Sequence, residues 1–389
     1  MEPKNICIVS AQYLPHVGGV ENFVAHLSAE LIRRGHRVTI LTSAVKGLPA
    51  WEQTDAVEIF RLPTWQLMNG RFPVLRKGRT LRRMTGTIRE KHFDVMLVNV
   101  RFYPLSLYAV KLAEKMNCPC YLMDHGAGHV AMGGKLTTWL GERYEHAITA
   151  MEKKHCRHYL GVSSASVRWL EHFGIRADGI LRNAISVEQV EAVLQNPPRS
   201  FREEYNVPST DKVIAFVGRL VEGKGVLELH EAFLRLFAER SDVWLLLAGD
   251  GNLRKAVEKS PCPHVICLGA VPHSDVIALH RESDLFVFPS ESEGFPTAIL
   301  EAAVCRDYLI TTDVGDAREI VRTPGHGIIL PSNAPKEIYA AIHAVIDRPD
   351  LRETGTELCY REVTDRFTWQ KTADAFLALL NKEGTEQHD

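Results

Sequence analysis

Residues 285–304 constrain the fold of this chain more than any other stretch. Leu285 to Phe288 is a short apolar run of the kind that forms a buried parallel strand, and Thr297 to Val304 is a run of good helix formers. Between them lies Pro289-Ser-Glu-Ser-Glu-Gly-Phe-Pro296, a polar turn in which Pro296 suits the first helical turn. A buried strand that feeds straight into a helix is half of a βαβ unit, so it predicts a parallel sheet whose carboxyl edge binds ligands. The amides of Gly294, Phe295 and Thr297 then crowd a helix N-terminus, where anionic or phosphorylated ligands bind. Glu293 sits in the turn, and Glu301 lies more than one helical turn inside. The two carboxylates can therefore reach different parts of one elongated ligand rather than share a proton. Taken alone, either glutamate is equally at home on a solvated helix face.

The same alternation recurs along the chain. Asn5 to Ser10 is expected as a strand, Ala11 to Gly19 as a loop, about Val20 to Arg34 as an amphipathic helix, and Arg37 to Leu41 as the next strand. Together these make a βαβ unit with a right-handed crossover. Gly18-Gly19 opens the helix, either to let amides approach a phosphate or simply to cap the turn; it is not the G-x-G-x-x-G dinucleotide pattern. Residues 56–61, 94–100, Cys120 to Met123 and His158 to Ser163 read as further strands, with Ser163 capping the helix that follows. Asp124-His125-Gly126 stands at a strand's carboxyl end, a site position, although a lone histidine there is also compatible with a structural role. His129 follows four residues later, but Gly126 and Gly128 break any helix, so the two histidines are not expected to form a metal pair.

The alternation restarts at Val213 to Val217, followed by Gly218-Arg219-Leu-Val-Glu-Gly-Lys224-Gly225 and a helix from about Val226. The spacing does not fit a Walker A loop. Arg219 and Lys224 at a strand end can neutralise charge on a departing diphosphate. Trp244 to Ala248 runs into Gly249-Asp250-Gly251, and His264 to Gly269, Tyr308 to Thr312 and Gly325 to Leu330 are expected as strands. Helices are expected from about Ala334 and Leu351, with a final one over Trp369 to Leu380.

Composition narrows the function classes. At 389 residues, 45% hydrophobic and 24% charged, the chain is long enough for two domains with proper cores. A formal charge of −2 argues against a nucleic-acid binder. No apolar run is long enough for a membrane span, and Ile6 to Ala11 lacks a signal peptide's basic start and length. The eight cysteines, at 7, 118, 120, 156, 262, 267, 305 and 359, have the irregular spacing of reduced thiols, with Cys118-Pro-Cys120 the one close pair. These features point to the cytoplasm. One segment stands apart: from Asn69 to Met84, Arg71, Arg76, Lys77, Arg79, Arg82 and Arg83 alternate with Phe72, Val74, Leu75 and Leu81. The mixture suits either an anionic bilayer surface, with the protein peripheral on the inner face of the cytoplasmic membrane, or a merely solvated basic face.

Glu293 to Glu301 resembles the E-x7-E signature of retaining glycosyltransferases of family four, and the resemblance extends over most of the chain. Gly18-Gly19-Val20-Glu21, Gly218-Arg219 with Lys224-Gly225, Ile180 to Ser186, Gly249-Asp250-Gly251, Val271 to Asp275 and Gly315 to Glu319 are similar to other family elements. The resemblance implies a GT-B fold: two Rossmann-like α/β domains facing across a cleft, spanning 1–185 and 186–365, with a C-terminal helix at 366–383 crossing back to the first. It further implies transfer of a sugar from a UDP- or GDP-linked donor to a hydroxyl of a glycan or lipid-linked acceptor, with retention. Gly18, Gly19, Gly218, Arg219 and Lys224 would lie against the donor phosphates, Glu301 against the ribose, and Glu293, Gly294, Phe295, Pro296 and Thr297 around the sugar. Val271 to Asp275 would hold the nucleobase, and His125 would reach the sugar. No cofactor and no metal are implied, and Asp-x-Asp is absent from the chain. No carboxylate is clearly placed as a covalent nucleophile, which favours a front-face displacement over a two-carboxylate scheme. A sugar-nucleotide epimerase of the same fold would share the phosphate site without an acceptor. A noncatalytic sugar-nucleotide-binding protein is expected to lack one of Arg219, Lys224, Glu293 or Glu301, and all four are present.

Overall fold

The computed structural model describes residues 2–16, 18–54, 57–68, 70–129 and 134–386. The chain forms two compact units. One takes in the chain as far as Asn183 together with the helix that begins at Trp369, and the other is Ala184–Thr368.

In the first unit, a sheet runs in the spatial order Gly179–Ile180, His158–Gly161, Cys120–Asp124, Val95–Asn99, Asn5–Ser10, Arg37–Ser43, Val57–Leu62, Trp51–Gln53. Neighbours are parallel apart from Trp51–Gln53, which pairs antiparallel with Val57–Leu62. Asn5–Ser10 lies between Arg37–Ser43 and Val95–Asn99, so the strand order reverses beside it and a crevice opens at the carboxyl ends of the central strands. Ala56, which opens the strand expected over 56–61, lies outside the described residues, as does Asn69. The chain's last helix, Trp369–Glu386, packs on helix Gly19–Arg33. Trp369 stacks on His26 with centroids 5.0 Å apart and meets the edge of Phe23 at 5.7 Å, while Arg34 pairs with Asp374 at 2.6 Å.

The basic segment is two elements rather than one. Phe72–Leu75 pairs antiparallel with Thr64–Leu67, and Gly78 precedes helix Arg79–Arg89. Arg71, Arg76, Lys77, Arg79, Arg82 and Arg83 are exposed, but Leu81 and Met84 are buried with Ile88 against the first unit's core. The helical period puts these three apolar residues on one face, and burying each is worth roughly 1.5–3 kcal/mol, more than a screened surface attraction offers. The expectation that Leu81 shares an outer surface with the arginines is therefore corrected. Exposed apolar surface here belongs to Trp65, Leu67 and Met68 on the neighbouring hairpin, with Arg76 5.5 Å over the Trp65 ring.

The second unit holds a parallel sheet in the order Val265–Gly269, Val243–Ala248, Lys212–Val217, Leu285–Phe288, Tyr308–Thr312, Gly327–Leu330. Its central strands are buried on both faces, which is why they read as unbroken apolar runs. Here too the order reverses, between Lys212–Val217 and Leu285–Phe288. The two loops that leave this point are Gly218–Gly225 and Pro289–Pro296.

Candidate active site

Backbone-to-backbone packing builds the second unit's crevice. Gly249 (φ 144°) presses on the first loop: a Cβ there would stand 1.8 Å from the carbonyl oxygen of Gly218. Gly225 (φ 72°) caps helix Val226–Glu239, and a Cβ on it would stand 2.2 Å from the carbonyl oxygen of Pro289. Neither position tolerates a side chain without moving a loop. The amide of Glu291 donates to the Gly223 carbonyl at 2.8 Å, and the buried Ser290 hydroxyl reaches the same oxygen at 3.3 Å. The Thr312 hydroxyl donates to the Ser290 carbonyl. These bonds hold the two loops together.

Four charged side chains converge on this frame. Lys224 and Glu293, one from each loop, form an ion pair with 17% and 15% of their side chains exposed. Arg219 is exposed, with no ion pair among the described residues. Glu301, in helix Thr297–Val304, accepts from His273 Nε2 at 3.0 Å, and that bond raises the His273 pKa above its ordinary value. Pro296 is the residue before the helix rather than part of its first turn. The Thr297 amide, expected to face a ligand, instead donates to the Phe295 carbonyl at 3.1 Å, because the chain tightens at Pro296. The amides of Gly294 and Phe295 make no such bond among the described residues.

The first unit's crevice has a different character. A cavity of about 220 Å³ is lined by Gln12, Val20, Glu21, Tyr103, Asp124 and His125 among others. His125 follows strand Cys120–Asp124, as the sequence placed it. Its Nε2 lies 2.9 Å from Asn99 Oδ1, and its ring meets the Phe23 edge at 5.1 Å. Because Asn99 Nδ2 donates to the Val9 carbonyl at 3.1 Å, Asn99 Oδ1 is the acceptor, so His125 carries its proton on Nε2. Burial pushes the imidazole pKa down to about 3, which makes it a neutral side chain with Nδ1 free to accept. Asp124 is buried, and desolvation raises its pKa against the opposing pull of Arg101 Nε at 2.7 Å. Val100, at the end of the adjoining strand, holds φ 66°, a rare conformation for a β-branched residue that commonly marks a functional rim. Gly18 precedes helix Gly19–Arg33 in extended backbone, under the Glu21 carboxylate, whereas Gly19 faces open space.

Among the sequence-derived candidates, Gly218, Arg219, Lys224, Glu293, Gly294, Phe295, Pro296, Thr297 and Glu301 surround one strand-order reversal. Gly18, Gly19 and His125 belong to the other. Sequence reasoning missed Asn99 and the side chain of His273. Asn99 left a signal, as a polar residue ending the apolar run Val95 to Val98; His273 lay in the singled-out segment Val271 to Asp275, but its pairing with Glu301, 28 residues away, left none.

Two Rossmann-like units, each with a strand reversal at its centre, are the architecture of the GT-B fold. Family models agree: residues 17–186 match Glycosyltransferase Family 4, and residues 199–357 match Glycosyl transferases group 1. Together these matches mark the chain as a family-four-like glycosyltransferase. It is 25% identical to glycogen synthase of Mycobacterium tuberculosis over 98% of this chain and 96% of that one. It is 26% identical to a phosphatidylinositol N-acetylglucosaminyltransferase chain of Arabidopsis thaliana over 95% of this chain and 80% of that one. Among solved structures, HepE of Anabaena in complex with UDP-glucose has a TM-score of 0.73 at 16% identity, covering 97% of this chain and 100% of that one.

Proposed function

We propose that the protein transfers a sugar from a UDP- or GDP-sugar to an acceptor hydroxyl with retention of configuration and without a metal at the diphosphate. The observation that carries this reading is the Lys224–Glu293 pair beside the free Arg219, at the strand reversal of the second unit. A carboxylate alone with a lysine balances one charge. A diphosphate brings more charge than Glu293 does, so it draws Lys224 and Arg219 to itself and releases Glu293 to the sugar hydroxyls, with the Gly294 and Phe295 amides alongside. Glu301 then holds the ribose, and His273 orients that carboxylate. His125, neutral with Nδ1 accepting, takes a hydrogen bond from a sugar hydroxyl. As the anomeric carbon–oxygen bond to the diphosphate breaks, the acceptor oxygen bonds to that carbon from the same face, and its proton passes to the leaving phosphate oxygen.

The acceptor in this reading is a lipid-linked or cell-envelope glycan, met by a peripheral enzyme at the inner face of the cytoplasmic membrane. Support comes from the exposed cations Arg71 to Arg83 beside Trp65, Leu67 and Met68. The similarity to enzymes named for phosphatidylinositol adds to it. Among the described residues no helix is long and apolar enough to cross a membrane. The test is transfer from a panel of UDP- and GDP-sugars in EDTA, with the anomeric configuration of the product read by NMR. Retained configuration and undiminished rates in EDTA are expected. An inverted product, or activity that returns only with a divalent ion, contradicts the reading.

A further inference from the structure

Three histidines from separate elements of the first unit come together away from the crevice just described. His129 follows the Asp124-His125-Gly126 turn, His146 lies in helix Lys135–Glu152, and His172 closes helix Ser164–Glu171. One ring nitrogen from each lies within 4.8 Å of the others. Zinc bonded to imidazole at 2.0–2.1 Å needs nitrogens roughly 3.3 Å apart, so the rings must close by at most about 1.5 Å. His146 and His172 are exposed and can make that movement by side-chain rotation alone.

The surroundings prepare these rings for a cation. His129 Nδ1 lies 2.6 Å from Glu145 Oε2, a carboxylate partner that fixes the tautomer and leaves Nε2 as the nitrogen with a free lone pair. Glu145 is itself buried, with Arg101 at 3.6 Å, so its position is set by the core. His172 stacks on Trp169 at 4.8 Å and 6°, and His146 lies 4.8 Å from the Phe173 ring. Packing of this kind holds the rings near their binding positions before an ion arrives, which lowers the ordering cost.

We propose that His129, His146 and His172 form a zinc site, with water in the exposed fourth position and Glu145 as the outer carboxylate. Neutral imidazoles on an open tetrahedron suit zinc better than hard oxygen-seeking ions such as magnesium or calcium. The ion takes no part in sugar transfer. It ties the segment that carries His129 to two helices. This inference goes beyond the transfer reading and stands or falls independently of it.

The test uses the untagged full chain, stripped with chelator and titrated with zinc chloride. One zinc per chain is expected, together with a rise in Tm; cobalt substituted for zinc should show the visible absorption of a tetrahedral site. His146→Gln and His172→Gln, both on the surface, should each weaken zinc at least tenfold, and the double variant should lose both the bound ion and the Tm rise. Glu145→Gln is expected to weaken zinc by about 10–100-fold, as loss of an outer partner does. Wild-type protein that retains no zinc, or a double variant that binds it as tightly as wild type, overturns the proposal.

Discussion

The two units share one plan, a mainly parallel sheet whose strand order reverses near its centre, yet the crevices at those central reversals differ in electrostatic character. In the second unit, Arg219, Lys224, Glu293 and Glu301 supply charge on a frame of close glycine contacts. In the first, the central polar group is a neutral imidazole held by a neutral amide, and the buried Asp124 is countered by Arg101. Topology fixes where a ligand binds, and the residues that end the strands decide what it is. A crevice with cations fits a diphosphate; one lined by a neutral imidazole and carboxylates fits hydroxyl groups.

The largest expected effect comes from breaking the charged side of that contrast. Lys224→Ala should lower kcat/KM by about a hundredfold or more, because it removes a cation where charge grows in the transition state. Turnover near the wild-type rate would show that the Lys224–Glu293 pair is only structural. A moderate effect is expected at the exposed cations. Changing Arg76, Lys77, Arg82 and Arg83 to Ser should sharply reduce sedimentation with anionic vesicles at low salt, since each contributes about 1 kcal/mol near such a surface. Unchanged sedimentation, or none in the wild type, would leave a soluble acceptor as the better reading.

A smaller effect sharpens the uncharged side. The folded protein holds His125 near pKa 3 whereas an unfolded histidine titrates near 6.5, so the unfolded chain takes up a proton that the folded one refuses. Stability from this group is therefore present above about pH 6.5 and is lost as pH falls toward 3. The Tm difference between wild type and His125→Asn should shrink from pH 7.5 to pH 5, and kcat/KM should show no inflection from His125 in that range. A difference that grows on acidification would mean the histidine is charged in the fold.

Much of this was legible in the sequence, for a physical reason. Strands buried on both faces advertise themselves as apolar runs, and the turns that follow carry the glycines and charges, so Leu285–Phe288 and Lys212–Val217 delivered both loops of the charged crevice. What stayed hidden depends on tertiary pairing. Nothing local says that Lys224 meets Glu293, that His273 meets Glu301, or that the Thr297 amide folds back on Phe295. The basic segment misled for a related reason: its alternation looks amphipathic throughout, but a turn at Gly78 splits it, and only the helical part has a core to bury Leu81 and Met84. His129, His146 and His172 lie too far apart in sequence for their spacing to suggest a cluster.

In the proposed reaction one nucleotide-sugar spans the charged crevice, ribose at Glu301 and sugar at Glu293, and everything else follows from that placement. Calorimetric titration of free nucleoside diphosphate and of intact nucleotide-sugar into Glu301→Gln and Glu293→Gln tests it most directly. Glu301→Gln should weaken both ligands alike, whereas Glu293→Gln should weaken the nucleotide-sugar and leave the diphosphate bound at least as tightly, because its competitor for Lys224 has lost its charge. Equal losses of diphosphate binding in the two variants would contradict the placement.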